Sequence, residues 1–196
     1  MIRLALIRHA PTDYNAQGRM QGTRDVPLST QGRAVAAGWR VPPDLAEFAW
    51  MSSPLARCCE TARLMCLTQA VAEPRLVEMD WGQWEGRLID DLRAELDAEM
   101  ADNEANGLDF RPDGGESPRD VQARLTPWLA EIGAAGQDTG AVTHKGVIRA
   151  IFAQASDWDM TGRPPTRLDW TAAHIFTVDN QGRPAVEQLN LPLEKL

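Results

Sequence analysis

The sequence predicts an α/β protein of three layers, with helices on both faces of a mostly parallel sheet of about six strands and an antiparallel hairpin at one edge. Three observations carry this. Short apolar runs alternate along the chain with stretches of helical periodicity. Serine-proline pairs stand where helices should begin. Asn180-Gln181-Gly182 supplies a turn between the last two apolar runs. The expected strands are Ile2–Ile7, Phe48–Ser52, Arg75–Val77, Ala141–Thr143, His174–Val178 and Ala185–Leu189. Ser29 is read as the cap of a helix reaching Arg40, and Ser53-Pro54 as the cap and first residue of one reaching Thr68. Ser117-Pro118 repeats the device, with Asp120 at the third position and a stripe of Val121, Leu125, Leu129 and Ile132 behind it. Leu88, Leu92, Leu96 and Met100 mark an acidic helix within 87–106, and a last helix is expected from about Gly146. A loop covers Gly107–Gly115, and the whole of 1–196 is expected to form one domain.

The chain carries a net charge of −8, with 43% hydrophobic and 24% charged residues. An acidic balance argues against nucleic acid or anionic membrane as partner, so any phosphate chemistry must rest on a local positive pocket. No apolar run approaches the ~20 residues of a membrane span, and the first residues lack a signal-peptide pattern. Three cysteines, all between Cys58 and Cys66, are an odd number without metal-ligand spacing. They are read as space-filling thiols on a helix, and a cytoplasmic location is expected. The acidic face from Asp90 to Glu99 is read as solvated rather than metal-binding.

Arg8-His9 ends the first apolar run. A residue pair at that place sits on the carboxyl edge of the sheet, outside which open α/β sheets bind their ligands. Imidazole beside guanidinium suggests a nucleophile next to an anion clamp.

Four segments together resemble the histidine phosphatase superfamily, also called the phosphoglycerate mutase-like group. The first is Leu6-Ile7-Arg8-His9-Ala10-Pro11-Thr12 with Asn15, continuing through Gly18-Arg19-Met20-Gln21-Gly22, Pro27-Leu28-Ser29 and Gly32. The second is Ser52-Ser53-Pro54-Leu55-Ala56-Arg57 with Thr61-Ala62. The third runs from Leu76-Val77-Glu78-Met79-Asp80-Trp81 to Gly82-Gln83-Trp84-Glu85-Gly86. The fourth is Val142-Thr143-His144-Lys145-Gly146-Val147-Ile148-Arg149. Their order and spacing cover nearly the whole chain.

The resemblance implies metal-independent hydrolysis of a small phosphorylated metabolite through a phosphohistidine, with no cofactor. It makes His9 the nucleophile and Glu78 the general acid. Arg8, Arg57 and His144 become the phosphate cradle, with Asn15 and Gln21 as polar binding residues. Such a cradle is physically required: the transferred phosphoryl group bears negative charge on three oxygens, and fixed cationic donors must meet it. Arginine suits this because its planar fork meets two oxygens at once. Glu78 needs a raised pKa to act as an acid, for which Trp81 and Trp84 are candidate desolvating groups.

Other readings stay open. Asp80 and Glu85 compete with Glu78 for the acid role, and Glu116 lies in a Gly-Glu-Ser stretch that also resembles the family. His144 and His174 are alternatively packed histidines. Trp39, Trp50, Trp128, Trp158 and Trp170 are read as structural. The family's glycine after the nucleophile is Ala10 here, and Lys145 stands where a glycine commonly follows the second histidine. The segment 81–86 looks more like bacterial small-molecule phosphatases, such as α-ribazole phosphatase, than like the mutases. A phosphoglycerate mutase and a non-catalytic phospho-ligand binding module remain the rival functions. Selectivity is assigned to Arg87–Gly115 and the Trp158–Trp170 loop; the sequence leaves the oligomeric state open.

Overall fold

Two apolar faces of one sheet organise the computed structural model, which describes residues 1–195. In chain order the elements are β1 (Ile2–Arg8), α1 (Asp13–Gln17), α2 (Thr30–Ala37), β2 (Trp39–Arg40), β3 (Ala49–Ser52) and α3 (Ala56–Leu64). There follow β4 (Val71–Ala72), α4 (Ile89–Glu104), α5 (Pro118–Ala135), β5 (Thr139–Thr143), α6 (Lys145–Ala155), β6 (Ala172–Val178), β7 (Pro184–Pro192) and β8 (Glu194–Lys195). The main sheet has the order β4-β3-β5-β1-β6-β7, and β2 pairs with β8 in a separate two-stranded ribbon. The pairs β4/β3, β3/β5 and β5/β1 are parallel, while β6 and β7 join antiparallel at one edge.

Alternation along β1 divides the core. Leu4 and Leu6 face α5 and α6, packing with Leu125, Trp128, Ile148 and Phe152. Ala5 and Ile7 face the other way, toward Ala36 of α2 and Cys58 and Ala62 of α3. Period-two alternation thus converts one strand into the seam of three layers. Leu4 and Leu6 are fully buried, each stabilising the fold by roughly 1.5–3 kcal/mol.

The parallel register places the ends of neighbouring strands level with one another. Arg8 at the end of β1 pairs with Thr143 at the end of β5. The ladder continues one step, His9 N donating to the Thr143 carbonyl at 2.9 Å and Ser53 N to that of Val142 at 3.0 Å. Residues 9, 53 and 144 therefore emerge side by side on the carboxyl edge.

Several expected boundaries differ. The strand expected at Arg75–Val77 is a 3-10 turn over Pro74–Leu76, and the edge strand lies earlier, at Val71–Ala72. Pro74 lacks the N–H that a ladder needs, and the Glu73 side chain accepts from Arg75 N at 2.9 Å. The Ser29-capped helix stops at Ala37, because Trp39-Arg40 pairs with Glu194-Lys195 instead. Ser53 does not cap α3, which begins at Ala56 after Leu55 and ends at Leu64. Of the three cysteines only Cys58 fills core space; Cys59 and Cys66 are exposed. The acidic helix forms but is interrupted at Asp97 (φ 40°), with Leu92 and Met100 buried beneath it. No helix among the described residues is long and apolar enough to cross a membrane.

At α5 the expectation holds in full. Ser117 Oγ accepts from Asp120 N, while the Asp120 carboxylate accepts from Ser117 N at 2.9 Å. Ser117→Ala removes this reciprocal cap and should cost about 1 kcal/mol, read as a lower urea midpoint at unchanged slope; an unchanged midpoint would contradict the role given to the cap.

Candidate active site

Arg8 with His9, and Arg57, Glu78 and His144, from four separate stretches of the sequence, converge at the carboxyl edge of β1 and β5. The His9 and His144 rings lie 5.2 Å apart, centre to centre, tilted by 60°. Both are buried. His9 Nδ1 lies 2.7 Å from the Ala10 carbonyl, and a carbonyl only accepts, so Nδ1 carries the proton and Nε2 keeps its lone pair. Ala10 N donates to Thr61 Oγ1 at 3.0 Å, and that hydroxyl donates to the Arg57 carbonyl at 2.7 Å. The turn after the strand is thereby bolted to α3. Ala10 is not among the residues with positive φ, so this turn needs no glycine there.

Arg57 is the second residue of α3 and fully buried. Its Nη1 donates to the Arg24 carbonyl and Nη2 to that of Gly22, each at 2.8 Å. These carbonyls belong to a loop that Glu85 holds by accepting from Thr23 N at 2.6 Å. The Nε atoms of Arg8 and Arg57 are buried without a hydrogen-bond partner among the described residues. An unmade bond to such a donor costs about 1–3 kcal/mol, more for a charged group, so both atoms favour an incoming anion.

His144 caps α6, with Nε2 2.8 Å from Ser53 Oγ and 3.4 Å from Cys58 Sγ. Glu78 reaches the same helix end: its Oε1 accepts from Met79 N at 2.9 Å and from Gly146 N at 3.0 Å. Trp81 and Trp84, the candidate desolvating groups, stack on each other and edge against Phe110. Asn15 Oδ1 accepts from Thr12 N at 3.0 Å, and Gln21 Oε1 from Thr12 Oγ1 at 2.8 Å. What these two amides have left to offer an anion is their NH₂ groups.

The competing acids are engaged elsewhere. Asp80 Oδ1 accepts from Gly82 N at 2.8 Å, and Glu116 accepts from Asp80 N and Arg124 Nε, both at 3.0 Å. His174 packs on β6, its Nδ1 accepting from Asn190 N at 3.3 Å. Sequence reasoning named Thr61 and Ser53 only as parts of a segment and missed the roles of their hydroxyls, whose partners Ala10 N and His144 lie on other elements. It also missed Trp170, whose ring lies 5.8 Å from Arg8 Cζ and 5.5 Å from Lys145 Nζ. Of the tryptophans read as structural, Trp39, Trp50, Trp128 and Trp158 are buried core residues and Trp170 packs against the core; Trp158 and Trp170 also line a cleft beside the site.

Burial first, then Arg8 and Arg57, holds the His9 pKa well below the ordinary histidine value. Burial, then His9 and Arg57, does the same for His144. Burial lowers His174 to about 4. Each ring is thus neutral when folded, yet binds a proton below about pH 6.5 when unfolded. The unfolded state then holds more protons, so the stability present above pH 6.5 is lost as pH falls through it. Urea unfolding should show a loss of roughly 1–2 kcal/mol per pH unit and per histidine between pH 6.5 and 5. His174→Gln should remove one group's share; an equally steep profile in that variant would contradict the assignment.

The model of the histidine phosphatase superfamily (branch 1) matches residues 4–192. Over 173 residues the chain is 37% identical to glucosyl-3-phosphoglycerate phosphatase of Mycobacterium tuberculosis, covering 77% of this chain and 74% of that one. The vanadate-bound structure of a mycobacterial glucosyl-3-phosphoglycerate phosphatase superposes with TM-score 0.78 and 26% identity, over 97% of this chain and 100% of that one. The α-ribazole phosphatase of Shigella flexneri superposes with TM-score 0.73 and 28% identity, over 96% of each chain. The chain belongs to the histidine phosphatase superfamily.

Proposed function

We propose that this protein is a metal-independent phosphatase that hydrolyses a small phosphomonoester through a phosphohistidine at His9. One observation carries the reading: a buried, neutral imidazole with Nδ1 tied to a carbonyl lies among guanidinium groups whose buried Nε donors have no partner among the described residues. The phosphatases among the relatives support it. In the first step the Nε2 lone pair forms a bond to phosphorus while the bond to the ester oxygen breaks. Glu78 gives its proton to the departing oxygen, then as carboxylate takes one from the water that attacks the phosphohistidine. Phosphate leaves and His9 returns to its neutral form. Arg8 and Arg57 hold the phosphoryl oxygens, with His144, Asn15 and Gln21 as further donors. Uncatalysed hydrolysis of such esters is so slow that enzymes accelerate it by up to ~10²¹-fold, roughly 28 kcal/mol, which calls for fixed charge of this kind.

Residues 1–196 form one catalytic domain on this reading. Its location is the cytoplasm, which three free cysteines support.

The wild-type protein should release inorganic phosphate from alkyl and aryl phosphates with chelator present, and His9→Ala should abolish this. Glu78→Gln should slow an alkyl phosphate by about 10²–10⁴-fold. It should slow p-nitrophenyl phosphate much less, since that leaving group departs without a proton. Turnover by His9→Ala, or loss of wild-type activity to chelator, would contradict the mechanism. Interconversion of 2- and 3-phosphoglycerate without phosphate release would assign a mutase instead.

A further inference from the structure

A cleft of about 540 Å³ opens beside the phosphate pocket, between α6 and the segment leading from Trp158 to Trp170. Lys145, Arg149 and Arg167 line it. None of the three has a carboxylate within 4.0 Å among the described residues, in a chain whose other arginines are mostly paired. Lys145 and Arg149 stand four residues apart on α6, where like charges repel. Arg149 Cζ lies 5.2 Å from the centre of the Trp158 ring, and Lys145 Nζ 5.5 Å from that of Trp170. The one acid in the lining, Asp169, has its Oδ1 taken up by Thr171 N and Oγ1, at 2.9 and 2.8 Å. A protein of net charge −8 thus gathers three cations without a direct ion pair on one concave wall, with Asp169 near Arg167 as the one carboxylate in the lining, an arrangement that attracts an anion.

The cleft is also held in shape. Asn190, in the left-handed region at φ 59°, accepts from Asp169 N through Oδ1 at 2.6 Å and donates from Nδ2 to the Arg167 carbonyl at 3.0 Å. Trp158 Nε1 donates to the Thr161 carbonyl at 3.0 Å. Trp170 forms the wall common to both spaces, with Arg8 and Lys145 each against its ring.

We propose that this cleft is a second anion subsite, and that the substrate carries a carboxylate or a further phosphate besides the phosphate being cleaved. The proposal rests on the phosphatase reading and narrows its substrate class. Arg149 and Arg167 grip the second anion, and Lys145 bridges the two sites.

Two matched pairs test it: 3-phosphoglycerate against glycerol 3-phosphate for a carboxylate, and glucose 1,6-bisphosphate against glucose 6-phosphate for a phosphate. The wild type should prefer the doubly anionic member of at least one pair by about 10–100-fold in kcat/KM, and that pair identifies the group. The double variant Arg149→Gln, Arg167→Gln should bring the ratio toward one while its circular dichroism and melting stay close to wild type. A wild-type ratio near one in both pairs, or a ratio unmoved by the double variant, overturns the subsite. Calorimetric dissociation constants for the same pairs, measured on His9→Ala with and without the two arginine substitutions, read the ratio without turnover. If no ester is hydrolysed but those binding ratios shift as expected, the phosphatase reading fails and the subsite stands.

Discussion

The hydrogen bond between His9 Nδ1 and the Ala10 carbonyl is the constraint around which the rest of the site is arranged. It sets the tautomer, and so decides which nitrogen keeps a lone pair for attack. The bond holds only while the turn after β1 keeps its shape. Thr61 secures that turn from α3, and the pairing of Arg8 with Thr143 secures the strand beneath it. Burial and two guanidinium groups then keep the ring uncharged. The same cations that would bind a phosphoryl group therefore also keep its acceptor nucleophilic, which is why the two kinds of residue must adjoin.

Electrostatics are divided by place rather than by total charge. Most arginines here are neutralised by carboxylates at the surface, for example Arg119 by Asp109 and Arg75 by Glu73 and Glu131. Such exposed pairs add little to stability. Arg8, Arg57, Arg149 and Arg167 are among the arginines without such a partner in the described residues, and these four lie at the carboxyl edge or the cleft beside it. Glu78 faces that edge from the amino end of α6, its Oε1 accepting from Gly146 N. A methyl group on Gly146 would sit 2.4 Å from Glu78 Oε1, so the close approach of acid and helix end depends on that glycine.

Much of this is legible in the residues alone. Alternation in β1, the Ser117-Pro118 cap and the Asn180-Gln181-Gly182 turn are local signals, and local geometry decides them. The Arg-His pair is legible because a strand end fixes where its next residue points. Partners set by tertiary contact are hidden. Ser53 reads as a helix cap from its neighbour Pro54, yet its hydroxyl turns to His144, ninety-one residues away. Arg75–Val77 reads as a strand by composition, but Pro74 and the grip of Glu73 on Arg75 fold it into a turn. Trp170 and Arg167 sit in an irregular segment with no periodicity, so nothing in the sequence shows that Asn190 pins that segment beside α6.

The central claim is that His9 accepts the phosphoryl group covalently, and rapid acid-free quenching followed by intact-protein mass spectrometry tests it most directly. The expected result is a transient gain of one phosphoryl group during turnover, lost in acid, kept in base and mapped to the peptide holding His9. Turnover at full rate with no such adduct, or an adduct stable in acid on another residue, would contradict it.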